Sequence, residues 1–183
     1  MKELFWQFLI YSFLGFLLEV LFARIVKAQK TDRKCFFLLP LCPVYGLGAL
    51  LITALPIAVQ RNPLLLFLLG ALAATSAEYF MDWFYEKALG VRFWNYSAMR
   101  WNINGRVCLL FSFAWGFLSL ALVNWLHPRV LWLAGRIPAG WTLPAVLLFL
   151  VDAVGSAVLL RSTGSTASLR WYDRLHRGAK EHP

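Results

Sequence analysis

The chain has 183 residues, of which 60% are hydrophobic and 16% aromatic, with a mean hydropathy of +0.62, a balance too apolar for an ordinary soluble domain and right for one membrane domain. Its net charge of +9 would suit nucleic acid, but the basic residues flank apolar runs instead of forming one folded basic face, which argues against that partner.

Five apolar runs reach the roughly 20 residues needed to cross a bilayer core, so the expected fold is all-α: a polytopic bundle of about five transmembrane helices in the lipid bilayer. The first, Leu4 to Phe22, holds six Leu, five Phe, one Ile and one Val. At about 0.3 to 0.6 kcal/mol each, these outweigh the roughly 2 to 3.5 kcal/mol cost of Glu19 inside the run. The run is too long for the apolar core of a cleavable signal and lacks a small-residue cleavage site, so it is expected to stay in the mature protein.

The second run, Leu38 to Val59, opens on Pro40, Cys42, Pro43, Tyr45 and Gly46. Two readings are open at Cys42-Pro43. Either the entry is broken or re-entrant, with irregular backbone lining a cavity, or a plain helix starts there with Pro in its first turn.

The third run, Pro63 to Tyr85, brings Glu78, Asp82 and Glu86 at four-residue spacing, on one helix face. A connection follows in which Trp94, Tyr96 and Trp101 alternate with Arg, the pattern of an amphipathic segment anchored at the membrane interface. The fourth run, Val107 to Leu126, is entered through Asn102, Asn104, Gly105 and Arg106. The fifth, Trp141 to Leu160, carries Asp152 near its centre. Residues 1–161 thus form the transmembrane domain, and 162–183 a basic cytosolic tail with Trp171 and Tyr172, suited to docking or to anionic lipid.

Lys and Arg divide fourteen against four between the two sides of this five-helix arrangement, which puts the N-terminus outside and the C-terminus in the cytosol. Cys35, Cys42 and Cys108 then lie near the reducing side, where a disulfide framework is not expected. The cysteine spacing and the scattered His127, His176 and His182 give no metal signature, and no cofactor is called for.

Depth follows from counting. Glu19 lies fifteen residues past Leu4, about 22 Å into a core about 30 Å thick. Glu78 approaches the same level from the third run, and the starts of the second and fourth runs adjoin it. The candidate substrate or ion pathway is therefore Glu19, Tyr45, Glu78, Asp82, Asn104 and Arg106, because acids inside a membrane most often face a cavity or a partner. The competing reading is structural, with the acids protonated and bonded between helices. Glu86 is expected to reach the headgroups beside Lys87. Glu19 precedes Gly46 by 27 residues, as Glu78 precedes Gly105, a spacing that would fit an internal repeat of two helix pairs. Gly15, Gly70 and the Ala-rich stretch from Ala71 to Ala77 could pack within the chain or across a homo-oligomer.

Several of these segments carry a resemblance: the stretch from Tyr11 to Glu19, Pro40-Leu-Cys-Pro-Val-Tyr-Gly46, Phe93-Trp-Asn-Tyr-Ser97, the stretch from Asn102 to Ser112, and Trp115-Gly116. In that order, from about Phe5 to Gly116, they resemble the bacterial family described as putative ABC-transporter type IV, or CmpB-like. The resemblance implies a small multi-pass protein of the bacterial inner membrane, named as a permease, with no substrate attached. Asn95 stands where an acid is expected in many relatives.

A permease of this kind needs an ATPase, and no Gly-x-x-x-x-Gly-Lys-Ser/Thr loop occurs in the chain, so a separate ATP-binding subunit is implied. Three classes of function stay open: a permease-like transporter subunit for a small solute or ion, which is favoured; a membrane enzyme acting on a lipid headgroup; and an accessory or assembly protein. The sequence leans away from the enzyme, since no nucleophile-base pair or metal motif stands out.

Overall fold

The structure, a computed structural model, describes residues 2–27 and 34–170. Seven α-helices follow one another: α1 (Lys2–Ile25), α2 (Pro43–Thr53), α3 (Ile57–Gln60), α4 (Pro63–Phe84), α5 (Leu109–Ala121), α6 (His127–Arg136) and α7 (Thr142–Thr163). The fold is all-α apart from one two-stranded hairpin, β1 (Asn102–Ile103) with β2 (Val107–Cys108). Four helical stretches are long and apolar enough to cross a membrane: Lys2–Ile25, Pro63–Leu89, Leu109–Arg136 and Ala139–Thr163. They present Leu17, Leu68, Phe113 and Val154, among many other large apolar side chains, outward, as lipid-facing helices do.

The second apolar run departs from one continuous helix. Its first part, 38–42, is irregular, as are residues 35–37 before it, and α2 begins only at Pro43 and runs 11 residues, about 16 Å and half a bilayer core. Proline accounts for both limits. Pro43 occupies the first turn, where its missing amide costs nothing, and Pro56 disfavours helical backbone just before it, so α2 ends at Thr53. Both readings of the sequence thus hold in part, an irregular entry followed by a helix that starts with proline.

The fourth run goes the other way and lengthens. A wide π-helical turn, Leu122–Leu126, carries α5 directly into α6. It falls just before Pro128, where a ring and a missing amide would otherwise break the helix. A second π turn, Tyr85–Leu89, closes α4.

The short helix α2 forms the centre of the bundle, with α1 on one side and α4 on the other, and α5 lies against α4. Close approach depends on Gly15 of α1, where a Cβ would collide with the Tyr45 ring. The relative directions follow from contacts. Trp6 near the start of α1 donates to Thr142 at the start of α7 (3.2 Å). Phe22 near the end of α1 meets Phe111 at the start of α5, ring centroids 6.0 Å apart. Arg161 near the end of α7 donates to the Ala88 carbonyl (2.6 Å). Thus α1, α4 and α7 finish at one end, where the hairpin and the start of α5 also lie.

Within that arrangement α2 starts beside the middle of α1, where the Cys42 amide donates to the Ser12 carbonyl (2.9 Å). Ser12 lies ten residues into α1, about 15 Å along it. The irregular 35–42 segment therefore occupies the half of the bundle nearest the hairpin, and α2 the other half. The 27-residue repeat does not survive: Gly46 is inside helix α2, whereas Gly105 is a hairpin turn residue with φ of 67°.

Candidate functional site

At the level where α2 begins, a cavity of about 400 Å³ opens between α1, α2, α5 and the connection that follows α4. Glu19 enters from α1 and accepts a hydrogen bond from the Tyr45 hydroxyl of α2 (2.9 Å). Glu78 enters from α4, 5% exposed, and takes one donor on each oxygen: Tyr96 Oη at 2.8 Å and Trp115 Nε1 at 2.9 Å. The Tyr45 and Trp115 rings pack with centroids 5.0 Å apart, so the two carboxylates are joined through an aromatic pair. Tyr96 stacks on Phe111 (4.9 Å).

The Tyr45–Trp115 pair also lines a second cavity, about 390 Å³, whose walls are Leu14, Ile52, Leu118 and Leu122, with Arg129 also lining it. Leu18, Tyr45, Trp115 and Leu118 line both. The result is a cleft of two chambers, an inner one with two carboxylates among aromatic rings and an outer one that is almost wholly apolar. Lining residues tie its flanks at both ends, Phe22 to Phe111 in the inner chamber and the Tyr11 hydroxyl to His127 Nδ1 (2.6 Å) in the outer one.

Asp82 and Arg106, predicted for the same pathway, are brought together in a separate place. Asp82 is fully buried and holds Arg106 Nη1 at 2.6 Å and Arg92 Nη2 at 2.9 Å. Arg106 bridges onward to Glu86, which is why Glu86 does not simply reach for headgroups. These ion pairs, Glu86's first, hold Arg106 above the ordinary guanidinium value against the effect of burial. The spacing of Asp82 and Glu86 by four residues makes the double bridge possible. Asn104 lies outside both groups, at the exposed tip of the hairpin, donating to the Tyr79 hydroxyl (2.9 Å).

That hairpin closes through Asn104 and Gly105, both at positive φ (54° and 67°), with Arg106 N bonded to Ile103 O (3.0 Å). Asn-Gly is the preferred pair for such a turn, and it is the signal in the sequence that could have announced the hairpin. The turn delivers Arg106 inward to Asp82.

Asp152 is a backbone anchor. Its carboxylate accepts from the Leu38 amide (3.0 and 3.1 Å) and the Leu39 amide (2.7 Å), while Ser156 accepts from the Phe37 amide (2.8 Å). Irregular backbone at membrane depth survives only where such partners are supplied, and α7 supplies them.

The connection after α4 corrects the expectation of interface anchoring. Trp94 and Tyr96 are buried at 7% and 6% exposure, whereas Trp101 is exposed. Trp94 donates to the Arg106 carbonyl (2.9 Å) and Tyr96 to Glu78, because an acid inside the bundle draws neutral donors from whatever element passes it. Sequence reasoning therefore missed Tyr96, Trp115 and Arg92. Spacing gives no hint of them, since each partner is distant along the chain. Among the described residues, no group of three or more His, Cys, Asp and Glu could hold a metal ion. His176, His182, Trp171 and Tyr172 lie outside the described residues.

A helical bundle with four long apolar helices, an interrupted segment at its centre and buried acids inside defines a membrane protein. The chain belongs to the family described as Putative ABC-transporter type IV, whose model matches residues 6–157. The match extends past Gly116 into α7, so the last apolar helix is part of the family pattern. No curated protein and no solved structure matches the chain.

Proposed function

We propose that the chain is the membrane subunit of a transport assembly, and that the inner chamber with Glu19, Tyr45 and Glu78 is its solute or ion site. The observation that carries this reading is the cavity itself: acidic residues from two different helices, Glu19 and Glu78, line one space. Acids used only to lock helices need no such space. Asp82 and Arg106 then serve as the brace that holds α4 to the hairpin beside the site, and Asn104 belongs to the hairpin turn.

The basic segments support a cytosolic side for the hairpin end in an inner membrane, with the N-terminus out. The interrupted second segment completes the odd number of crossings this requires. Energy enters through a separate ATP-binding subunit docked at that end, and residues 162–183 form a basic tail on the same side.

The test is gentle solubilisation of the protein from its native membrane and mass spectrometry of what accompanies it. A nucleotide-binding ATPase recovered in stoichiometric amount is the expected result. Recovery of the chain with no such subunit overturns the reading of it as an ATP-driven transport subunit.

A further inference from the structure

The outer chamber has a chemistry of its own. Its walls come from α1, α2 and the continuous helix made by α5, the π turn and α6, and Leu14, Ile52, Leu118 and Leu122 make it apolar. It is not sealed, because Leu14 and Leu118 are only half-buried and Trp125 on its edge is exposed. The π turn itself forms part of the wall, since Leu122, Trp125 and Leu126 all line the space. Such turns give up regular helical hydrogen bonding and recur at functional sites.

Depth places the chamber in one leaflet. Leu109 opens the helix, and Arg129, the basic residue of the lining, lies twenty residues further on. That is about 30 Å of helix, the thickness of the hydrocarbon core. The Arg129 guanidinium therefore comes at headgroup level, with Trp125 and Trp132 exposed beside it, the rings typical of that level. The lining residues of this helix begin at Trp115, so the wall leading away from Arg129 is about 21 Å long, enough for an acyl chain running from the headgroups to the midplane.

Charge completes the match. Arg129 gives one guanidinium nitrogen to the Trp125 carbonyl, and among the described residues no carboxylate pairs with it. The neighbouring Arg136 lies over the Trp132 ring, 3.8 Å from its centroid. Arg129 is thus a cation at the mouth of an apolar space, with donors left over, and a guanidinium fork fits phosphate oxygens in pairs. We propose that the outer chamber holds one acyl chain of an anionic phospholipid whose phosphate sits on Arg129. The site lies at the end of the bundle opposite the hairpin and goes beyond the transport reading, which concerns the inner chamber.

The experiment is native mass spectrometry of the full chain in detergent micelles, supplied with phosphatidylglycerol or with phosphatidylcholine of identical acyl chains. Complexes with one phosphatidylglycerol, retained roughly fivefold above phosphatidylcholine, are expected from one basic residue at the headgroup. Arg129→Gln should bring the two lipids level, whereas Arg136→Gln, which alters a guanidinium outside the chamber lining, should keep the preference. Ala121→Phe puts a ring into the chamber from α5 and should lower retention of both lipids by roughly fivefold or more; should it fail to fold, Leu118→Trp fills the same space. Equal retention of the two lipids by the parent, an Arg136→Gln effect as large as that of Arg129→Gln, or undiminished lipid in the filled chamber overturns the proposal. Displacement of the lipid by inorganic phosphate overturns it too, in favour of a site for the free anion, as does a lipid-free dimer, which would give the chamber to a second copy of the chain.

Discussion

Arg106 sets a guanidinium nitrogen 2.6 Å from the Asp82 carboxylate, which has no solvent exposure at all. The pair ties the hairpin to α4, and Arg92 reaches the same carboxylate oxygen, Asp82 Oδ2, at 2.9 Å. A buried pair of this kind contributes little over an apolar substitute, yet removing one member strands the other charge.

Asp82→Asn is therefore expected to destabilise the fold by about 3 to 5 kcal/mol, the usual cost of breaking a buried ion pair from one side. Arg92→Ala is expected to cost less, because its side chain is 27% exposed and water screens it. Thermal unfolding of the solubilised variants ranks the two, and an Arg92→Ala effect equal to that of Asp82→Asn would contradict the assignment.

Asp152→Asn should loosen the irregular segment, whose Cys35 and Cys42 line the inner chamber. The amide retains one acceptor oxygen where the carboxylate has two, and the Leu38 and Leu39 amides both use it, so the loss is about 1 to 3 kcal/mol. Maleimide labelling of Cys35, which begins this segment and is buried, is the local readout. Faster labelling in the variant is expected; an unchanged rate would mean that the carboxylate does not hold the segment.

How much of this was legible in the sequence depends on range. The spacing of Glu78, Asp82 and Glu86 declared one helix face, and apolar length declared the long helices, since both are periodic and local. The interruption before Pro43 was visible as an option because proline acts on its own backbone. What pairs with each acid was not legible: Tyr96 lies 18 residues from Glu78 and Trp115 lies 37 away, and tertiary packing alone brings them together. For the same reason Trp94 and Tyr96 read as interface anchors, a pattern of composition that says nothing about which ring turns inward. The separation of Asp82 and Arg106 from the cavity likewise followed from the hairpin turn at Asn104 and Gly105, whose signal is two residues long.

Gly15→Leu tests the crossing that shapes the cleft. A side chain at Gly15 collides with the Tyr45 ring, and overpacking a tight contact costs about 1 to 3 kcal/mol. Displacing Tyr45 should also break its bond to Glu19. Intrinsic fluorescence offers a check, since Trp115 packs against Tyr45; a shifted emission spectrum together with a lower unfolding temperature is expected, and neither change would argue that α1 and α2 do not cross there.

Glu78→Gln and Tyr96→Phe separate a working carboxylate from a structural one. Gln keeps the shape of Glu and one carbonyl oxygen able to accept from Tyr96 or Trp115, so packing around α4 is largely retained and membrane abundance should stay close to that of the parent. Tyr96→Phe removes one donor from the buried Glu78 carboxylate, a cost of about 1 to 3 kcal/mol, while keeping the charge. If Glu78 serves the cleft through its charge, Gln abolishes function at normal abundance, whereas Phe lowers abundance and spares the function of the molecules that remain. If Glu78 only bonds helices together, the order reverses and activity falls in step with abundance in both. Quantitative immunoblotting of membranes beside a growth or uptake assay of the host distinguishes the two patterns, because it reads stability and function from the same cells.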